Sequence, residues 1–193
     1  MGDDRDDRSV HTAHTGTDTD GTARAPHGPT GVYHIGFGYD AHRLIDGRPL
    51  VLGGVQIPFE KGLEGHSDAD VLLHALIDAM LGAAGMGDIG TYFPSTDPTI
   101  EGISSVQMLV KVVEMLGKEG WVVENVDGTV VAQQPRLAPH VPHMRQAIAS
   151  ALGIEPHRVS VKAKTTDRLG FTGSGEGMEA YCAVMLARNQ PEC

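Results

Sequence analysis

Cysteine is almost missing from this chain: two occur in 193 residues, Cys182 inside an apolar run and Cys193 at the last position. That excludes a disulfide scaffold and a cysteine-rich zinc module, and it makes a reducing, cytoplasmic setting the expectation. Basic residues are also scarce, 15 Lys and Arg against 25 Asp and Glu, for a formal charge of -10. A chain so acidic lacks the clustered cations that phosphate backbones require, so nucleic acid is not an expected partner. No apolar run approaches the ~18 residues of a transmembrane helix, so no membrane partner is expected either. The first thirty residues carry no apolar h-region, and their acidity is unlike an organelle transit peptide. What remains is ordinary for one soluble domain with a real core: 40% hydrophobic and 21% charged residues. The abundance that stands out is histidine, ten in all, which directs attention to metal ligands.

Residues 1–30 hold six Asp and three Arg, a charge of -3 that leaves -7 for residues 31–193. With few large apolar side chains and no hydrophobic period, the segment cannot offset its ordering entropy, so a disordered acidic tail is expected. Its His11, His14 and His27 are assigned no chemistry. Residues 31–193 read as a single domain without an internal repeat. In VYHIGFGYDAHRL, Ile35, Phe37 and Tyr39 alternate with Gly36, Gly38, Asp40 and His42, which predicts a strand. RPLVLGGVQIP (48–58) predicts a strand or hairpin arm with a bend or bulge at Gly53-Gly54. SDADVLLHALIDAMLGAAG (67–85) predicts a helix capped by Ser67 or Asp68, with acids in its first turn. A loop of about twenty residues follows, long enough to be functional. Helices are expected in 105–120 and 138–153, a β-rich segment with a bulge in 121–133, and strands in 159–166 and 178–188. This order implies an α/β class, an α+β sandwich whose mixed four- to five-stranded sheet carries helices on one face.

Asp40 and His42 are two apart on a predicted strand, so both side chains leave the same face. Gly36 and Gly38 are expected to keep that face open. His74 sits in the middle of an apolar helical stripe, with Asp70 and Asp78 at i-4 and i+4. Two imidazoles, one carboxylate and an open fourth position match a catalytic zinc arrangement, although the same donors accept other divalent ions. A flanking carboxylate is expected to fix the His74 tautomer. Asp-x-His triplets are common and an isolated helical His is usually a packing residue, so the combination carries the reading, not either part.

Three segments suit phosphate. GHSDAD (65–70) places His66 and Ser67 at a helix mouth, amid Glu60, Glu64, Asp68 and Asp70, whose charge a metal must offset if an anion is to bind; simple capping explains Ser67 and Asp68 equally well. GDIGTYFPSTDP (87–98) offers Asp88, a turn at Gly90 and the hydroxyls of Thr91, Ser95 and Thr96, as fitting for a polyhydroxy substrate as for a turn. KTTDRLGFTGSGEG (164–177) sets Thr165 and Thr166 before Asp167, a carboxylate that can hold a hard cation such as Mg²⁺. It is neither a P-loop nor a dinucleotide fingerprint. AQQPRLAPH (132–140) is a proline-braced loop whose amides can face a small base.

Together these motifs resemble the 2-C-methyl-D-erythritol 2,4-cyclodiphosphate synthase family of the non-mevalonate isoprenoid pathway. The resemblance spans about residues 33–188, and SDADVLLHALIDAMLGAA is its most specific stretch; GFGYDAHRL, DIG with FPSTD, AQQPRL and LGFTG-GEG follow in family order. It implies that residues 31–193 form a catalytic synthase domain, and that Asp40, His42 and His74 ligate Zn²⁺ or another divalent cation. It implies substrate contacts from Asp40, His42, His66 and Ser67, with His66 stabilising the transition state. Asp88, Ile89 and Gly90, with Phe93, Pro94, Ser95, Thr96 and Asp97, would line the methylerythritol pocket. Ala132, Gln133, Gln134, Pro135, Arg136, Leu137 and Ala138 would hold cytidine. Lys164, Thr165, Thr166, Phe171 and Ser174 complete the expected set, Thr165 assisting the reacting phosphate and Asp167 binding a second metal, Mg²⁺ or Mn²⁺. The family is a homotrimer with active sites between subunits. The implied reaction takes 4-diphosphocytidyl-2-C-methyl-D-erythritol 2-phosphate to the cyclic diphosphate and CMP.

The sequence departs from the family pattern at four positions: Asp167 in place of a usual Glu, Lys164 in place of Thr, Ser95 where Asp is frequent and Ser174 where many relatives carry Arg. The Arg is associated with anion binding near the trimer axis, so Ser174 weighs against an axial isoprenoid-diphosphate site. Two other readings compete with the synthase: a metal-dependent phosphohydrolase, and a non-enzymatic trimer that binds isoprenoid diphosphates.

Overall fold

The computed structural model describes residues 31–189, so the expected acidic tail and Cys193 lie outside the described residues. In chain order the elements are β1 (Gly31–Asp46), β2 (Leu50–Leu52), β3 (Val55–Ile57), β4 (Lys61–Leu63), α1 (Val71–Ala84), α2 (Ile89–Tyr92), α3 (Ser105–Lys118), β5 (Val122–Val131), α4 (Val141–Leu152), β6 (Val159–Lys164), α5 (Gly170–Gly173) and β7 (Gly177–Asn189). Five strands form one sheet in the order β4-β1-β7-β5-β6, and β2 pairs with β3 in a separate hairpin. β5 and β6 run parallel, connected through α4, while the other neighbours are antiparallel. The expected mixed sheet is therefore present. The expected bulge in β5 falls between Val123 and Asn125. The segment 48–58, expected as a strand or hairpin arm bending at Gly53-Gly54, is a whole hairpin that turns there, with both glycines at positive φ (58° and 75°). β4 was not expected: three residues give too short a pattern to stand out. The long loop after α1 contains α2 and a single 3-10 turn, Pro98–Ile100.

Helix α1 is the centre of the core. Val71, Leu72, Leu73, Leu76, Ile77, Met80 and Leu81 are all buried, on every side of the helix. A helix apolar all round must be covered all round, and here it packs against β1, β7 and β5 and also against α3. Its start corrects the sequence reading. The cap is Asp70, whose side chain accepts from Leu73 N–H, and the first turn contains no acid. The chain cannot turn helical earlier because Ala69 sits at φ 57°, in the left-handed region. The Asp70 carboxylate is fully buried and also accepts from the N–H groups of Gly53 (2.9 Å) and Gly54 (2.7 Å), tying the hairpin turn to the helix start. Burial pushes the carboxyl up to about 6, against the pull of these backbone donors. Asp70→Ala should therefore destabilise the fold by at least about 2 kcal/mol, because orphaned N–H groups each cost ~1–3 kcal/mol. Urea unfolding measures this; an unchanged midpoint would contradict the tie.

Gly36 and Gly38 do not hold a face open. A Cβ on Gly36 would lie 1.8 Å from the Ala79 carbonyl oxygen, and one on Gly38 2.0 Å from that of Ala75. Both glycines let α1 lie directly on β1. The other side of β1 carries Tyr33, Ile35, Phe37 and Tyr39, all exposed, Ile35 at 78% and Phe37 at 67%.

Candidate active site

Close contact between β1 and α1 brings His74 to the Asp40–His42 pair. Asp40 Oδ2 lies 2.8 Å from His42 Nε2 and 3.0 Å from His74 Nδ1, and the two ring nitrogens are 3.1 Å apart. Four-coordinate zinc with bonds of about 2.0–2.1 Å separates its donors by roughly 3.3 Å. The triangle could accept such an ion after a slight outward adjustment, and three donors would leave one tetrahedral position open. Among the described residues this is the one cluster of three or more His, Cys, Asp or Glu groups able to hold a metal.

The surroundings set each donor. A carbonyl can only accept, so the 2.6 Å contact of His42 Nδ1 with Glu64 O puts the proton on Nδ1 and directs Nε2 into the cluster, where it could ligate a cation. Asp40 Oδ1 accepts from the Ala41 N–H. His74 Nε2 meets the hydroxyls of Ser67 (3.1 Å) and Ser105 (3.0 Å). The expected partners of His74, Asp70 and Asp78, are engaged elsewhere: Asp70 caps the helix, and Asp78 accepts from Ile89 N–H at 2.7 Å. Carboxylates at i-4 and i+4 on a helix share its face, but other chain segments reached these two first.

Burial opposes charge on Asp40, yet hydrogen bonds from His42 and His74 outweigh it and hold the carboxyl well below its usual range. Burial also opposes charge on His42, and the Asp40 hydrogen bond and charge, with the Glu64 carbonyl, overcome it and raise the imidazole above 6.5. The signs give a pH window for the metal-free protein. The His42 contribution to stability is complete below 6.5 and is lost as pH rises through the raised folded value. The Asp40 contribution is present above 3.8 and is lost as pH falls through the depressed folded value. Chelator-treated protein should thus melt lower at about pH 8 than at about pH 6. Zinc needs a neutral His42, so zinc-loaded protein should show the opposite trend. Melting curves at both pH values check this; a chelator-treated protein more stable at the higher pH would contradict it.

The remaining expected site residues lie outside this triangle. His66 is exposed just before Ser67, and its carbonyl accepts from Gly102 N–H at 2.8 Å. Asp88 caps α2 through Thr91, Ile89 is tethered to Asp78, and Gly90, Pro94, Ser95 and Thr96 are exposed beside half-buried Phe93 and Asp97. Ala132, Gln133, Gln134, Pro135, Arg136, Leu137 and Ala138 line a cleft of about 520 Å³ together with Lys164 and Thr165. Here the β5 loop and the end of β6 meet, and Thr165 Oγ1 donates to Gln133 Oε1 at 2.9 Å. Thr166 bonds the Leu169 carbonyl, which folds the next loop back, and Asp167 and Arg168 adopt positive φ (52° and 71°) at its tip. Asp167 belongs to no metal-holding cluster among the described residues. Phe171 lines a small pocket beside His42, whereas Ser174 donates to Glu176 Oε1 at 2.6 Å and borders a separate cleft with Gln133, Gln134 and Arg168.

Sequence reasoning missed Ser105 and Arg48. The Arg48 guanidinium donates to the carbonyls of Gly65 (2.8 Å) and Ser67 (2.6 Å), bracing the loop on both sides of His66. Neither residue has a spacing signal. Ser105 looks like a helix-start residue beside the Ser104 cap, and Arg48 like a surface cation next to Pro49.

A model of the YgbB family matches residues 33–187. A 2-C-methyl-D-erythritol 2,4-cyclodiphosphate synthase of Symbiobacterium thermophilum is 59% identical over 153 residues, 79% of this chain and 98% of that protein. Among solved structures, the bifunctional IspDF of Campylobacter jejuni superposes with a TM-score of 0.80 at 41% identity, over 83% of this chain and 43% of that one; this chain spans less than half of that protein. IspF of Plasmodium falciparum, solved as a CDP complex, gives a TM-score of 0.72 at 32% identity, over 82% of this chain and 97% of that one.

Proposed function

The chain belongs to the YgbB family, and from that membership we infer the chemistry of its site. It is an enzyme of isoprenoid biosynthesis that forms 2-C-methyl-D-erythritol 2,4-cyclodiphosphate, the product named in its relatives. Neither a phosphohydrolase nor a non-enzymatic trimer is favoured by those names. The substrate is 4-diphosphocytidyl-2-C-methyl-D-erythritol 2-phosphate; its 2-phosphate attacks the β-phosphorus of its own diphosphate and CMP leaves.

The observation that carries the site assignment is the convergence of Asp40, His42 and His74 at 2.8 to 3.1 Å. These three would hold a divalent cation, zinc being the best match to the donors, and Asp167 would hold Mg²⁺ or Mn²⁺. Bound cations supply charge neutralisation for a reaction in which nucleophile and electrophile are both anionic. The rest falls to the chain's own groups. His66 and Ser67 contact the substrate next to the metal, and Arg48 keeps their loop in place. Asp88, Ile89, Gly90 and the 93–97 loop enclose the methylerythritol part. The 132–138 loop holds the cytidine in the cleft it shares with Lys164 and Thr165, and a relative of this fold is known as a CDP complex. Thr165 orients the reacting phosphate. The nucleophile is already an oxyanion, so no side chain need act as general base, and folding the substrate back on itself does much of the work. The bare apolar face of β1, with Ile35 and Phe37 exposed, favours a homotrimer with sites completed between subunits. Residues 31–193 are then the catalytic domain and the first thirty are dispensable. No helix among the described residues is long and apolar enough to cross a membrane.

Incubation with the cytidine diphosphate substrate, followed by phosphorus NMR, tests the reading. A cyclic diphosphate with stoichiometric CMP is expected. Linear phosphates as the only products would replace cyclisation with hydrolysis.

A further inference from the structure

We propose that Ser105, held by Asp68, is a positioning residue that fixes the His74 tautomer so that its Nδ1 lone pair faces the metal. The proposal rests on the reading that His74 is a ligand. Ser105 is fully buried at the start of α3. The Asp68 carboxylate takes both of its donors: Oδ2 accepts from Ser105 N–H at 3.0 Å, and Oδ1 accepts from the hydroxyl at 2.5 Å. The hydroxyl proton is thereby committed, and charge-assisted bonds of this kind are short and strong. Ser105 Oγ then has only lone pairs to offer His74 Nε2, 3.0 Å away, so Nε2 must carry the proton. Ser67 lies at a similar distance, 3.1 Å, and accepts from Ala69 N–H. Among the described residues no acceptor other than His74 commits the Ser67 hydroxyl proton, so Ser67 can donate or accept and cannot select the tautomer. The loop that carries Asp68 is pinned to the α3 approach by Asp68 N–H to Ile103 O (3.1 Å) and Gly102 N–H to His66 O (2.8 Å). The relay therefore joins the beginning of α3 to a ligand on α1.

Groups that orient a ligating histidine are worth ~10–100-fold in metal affinity. Zinc affinity of the full chain, measured by chelator competition, should fall by that factor in Ser105→Ala and in Asp68→Asn, whose amide can satisfy only one of the two Ser105 donors. The double variant should lose no more than the worse single one, because both act through one bond to His74. Ser67→Ala should bind zinc nearly as the native protein does. The visible spectrum of the Co²⁺-loaded variants should shift, a change that a purely structural role would not produce. If Ser105→Ala does not fold, as judged by its melting curve, Asp68→Asn carries the test. Native zinc affinity in a folded Asp68→Asn, additive losses, or a loss confined to Ser67→Ala would overturn the proposal. Failure of the native chain to bind zinc at all would instead remove the ligand reading beneath it.

Discussion

His74→Ala is expected to lower turnover by at least ~10³-fold while leaving the fold in place. A metal clamp supplies several kcal/mol of transition-state stabilisation, and each 1.36 kcal/mol is about tenfold in rate. Removing one of three protein ligands forfeits most of that. The fold should survive because the core contacts of α1 come from its apolar residues, among them Leu72, Leu73, Leu76, Ile77 and Met80, and alanine is the best helix former. Circular dichroism and steady-state turnover, each with chelator and with added zinc, separate the two effects. Turnover within about tenfold of native in metal-stripped His74→Ala would contradict the ligand role.

Gly38→Ala is expected to damage stability and metal binding together. The new methyl would meet the Ala75 carbonyl oxygen at 2.0 Å and the Ala79 nitrogen at 2.7 Å. Both are backbone atoms of α1, which cannot rotate aside as a side chain can, so the helix must move away from β1. Overpacking of this kind costs about 1–3 kcal/mol, and more where backbone must shift. His74 lies one residue before Ala75, and Asp40 two residues after Gly38, so the displacement opens the donor triangle. The expected result is a lower melting temperature and loss of tight zinc binding. A change at an exposed glycine with open space, Gly82→Ala, should cost neither. Native zinc affinity in Gly38→Ala would show that helix and strand need not be so close.

The legibility of this chain follows the range of the signals. Asp40 and His42 share a face because of a period of two, and α1 declares itself by an apolar run, so the convergence of Asp40, His42 and His74 could be read from residue order. The mixed sheet followed from the alternation of elements. Contacts that depend on distant segments were not readable. Asp70 and Asp78 have the right helical spacing to flank His74, yet the N–H groups of Gly53, Gly54 and Ile89 claim them. The role of Gly36 and Gly38 depends on how near a helix approaches, which no local pattern encodes. Ser105, thirty-one residues from His74, meets it only because α3 packs on α1. β4 escaped notice because three residues cannot display a period.

X-ray absorption at the zinc edge of the loaded native protein reads the donor shell of the metal itself. About two imidazole nitrogens and one carboxylate oxygen are expected at ~2.0–2.1 Å, with a fourth oxygen donor from solvent, and loss of one imidazole in His74→Ala. A zinc shell without imidazole, or one unchanged in His74→Ala, would contradict it.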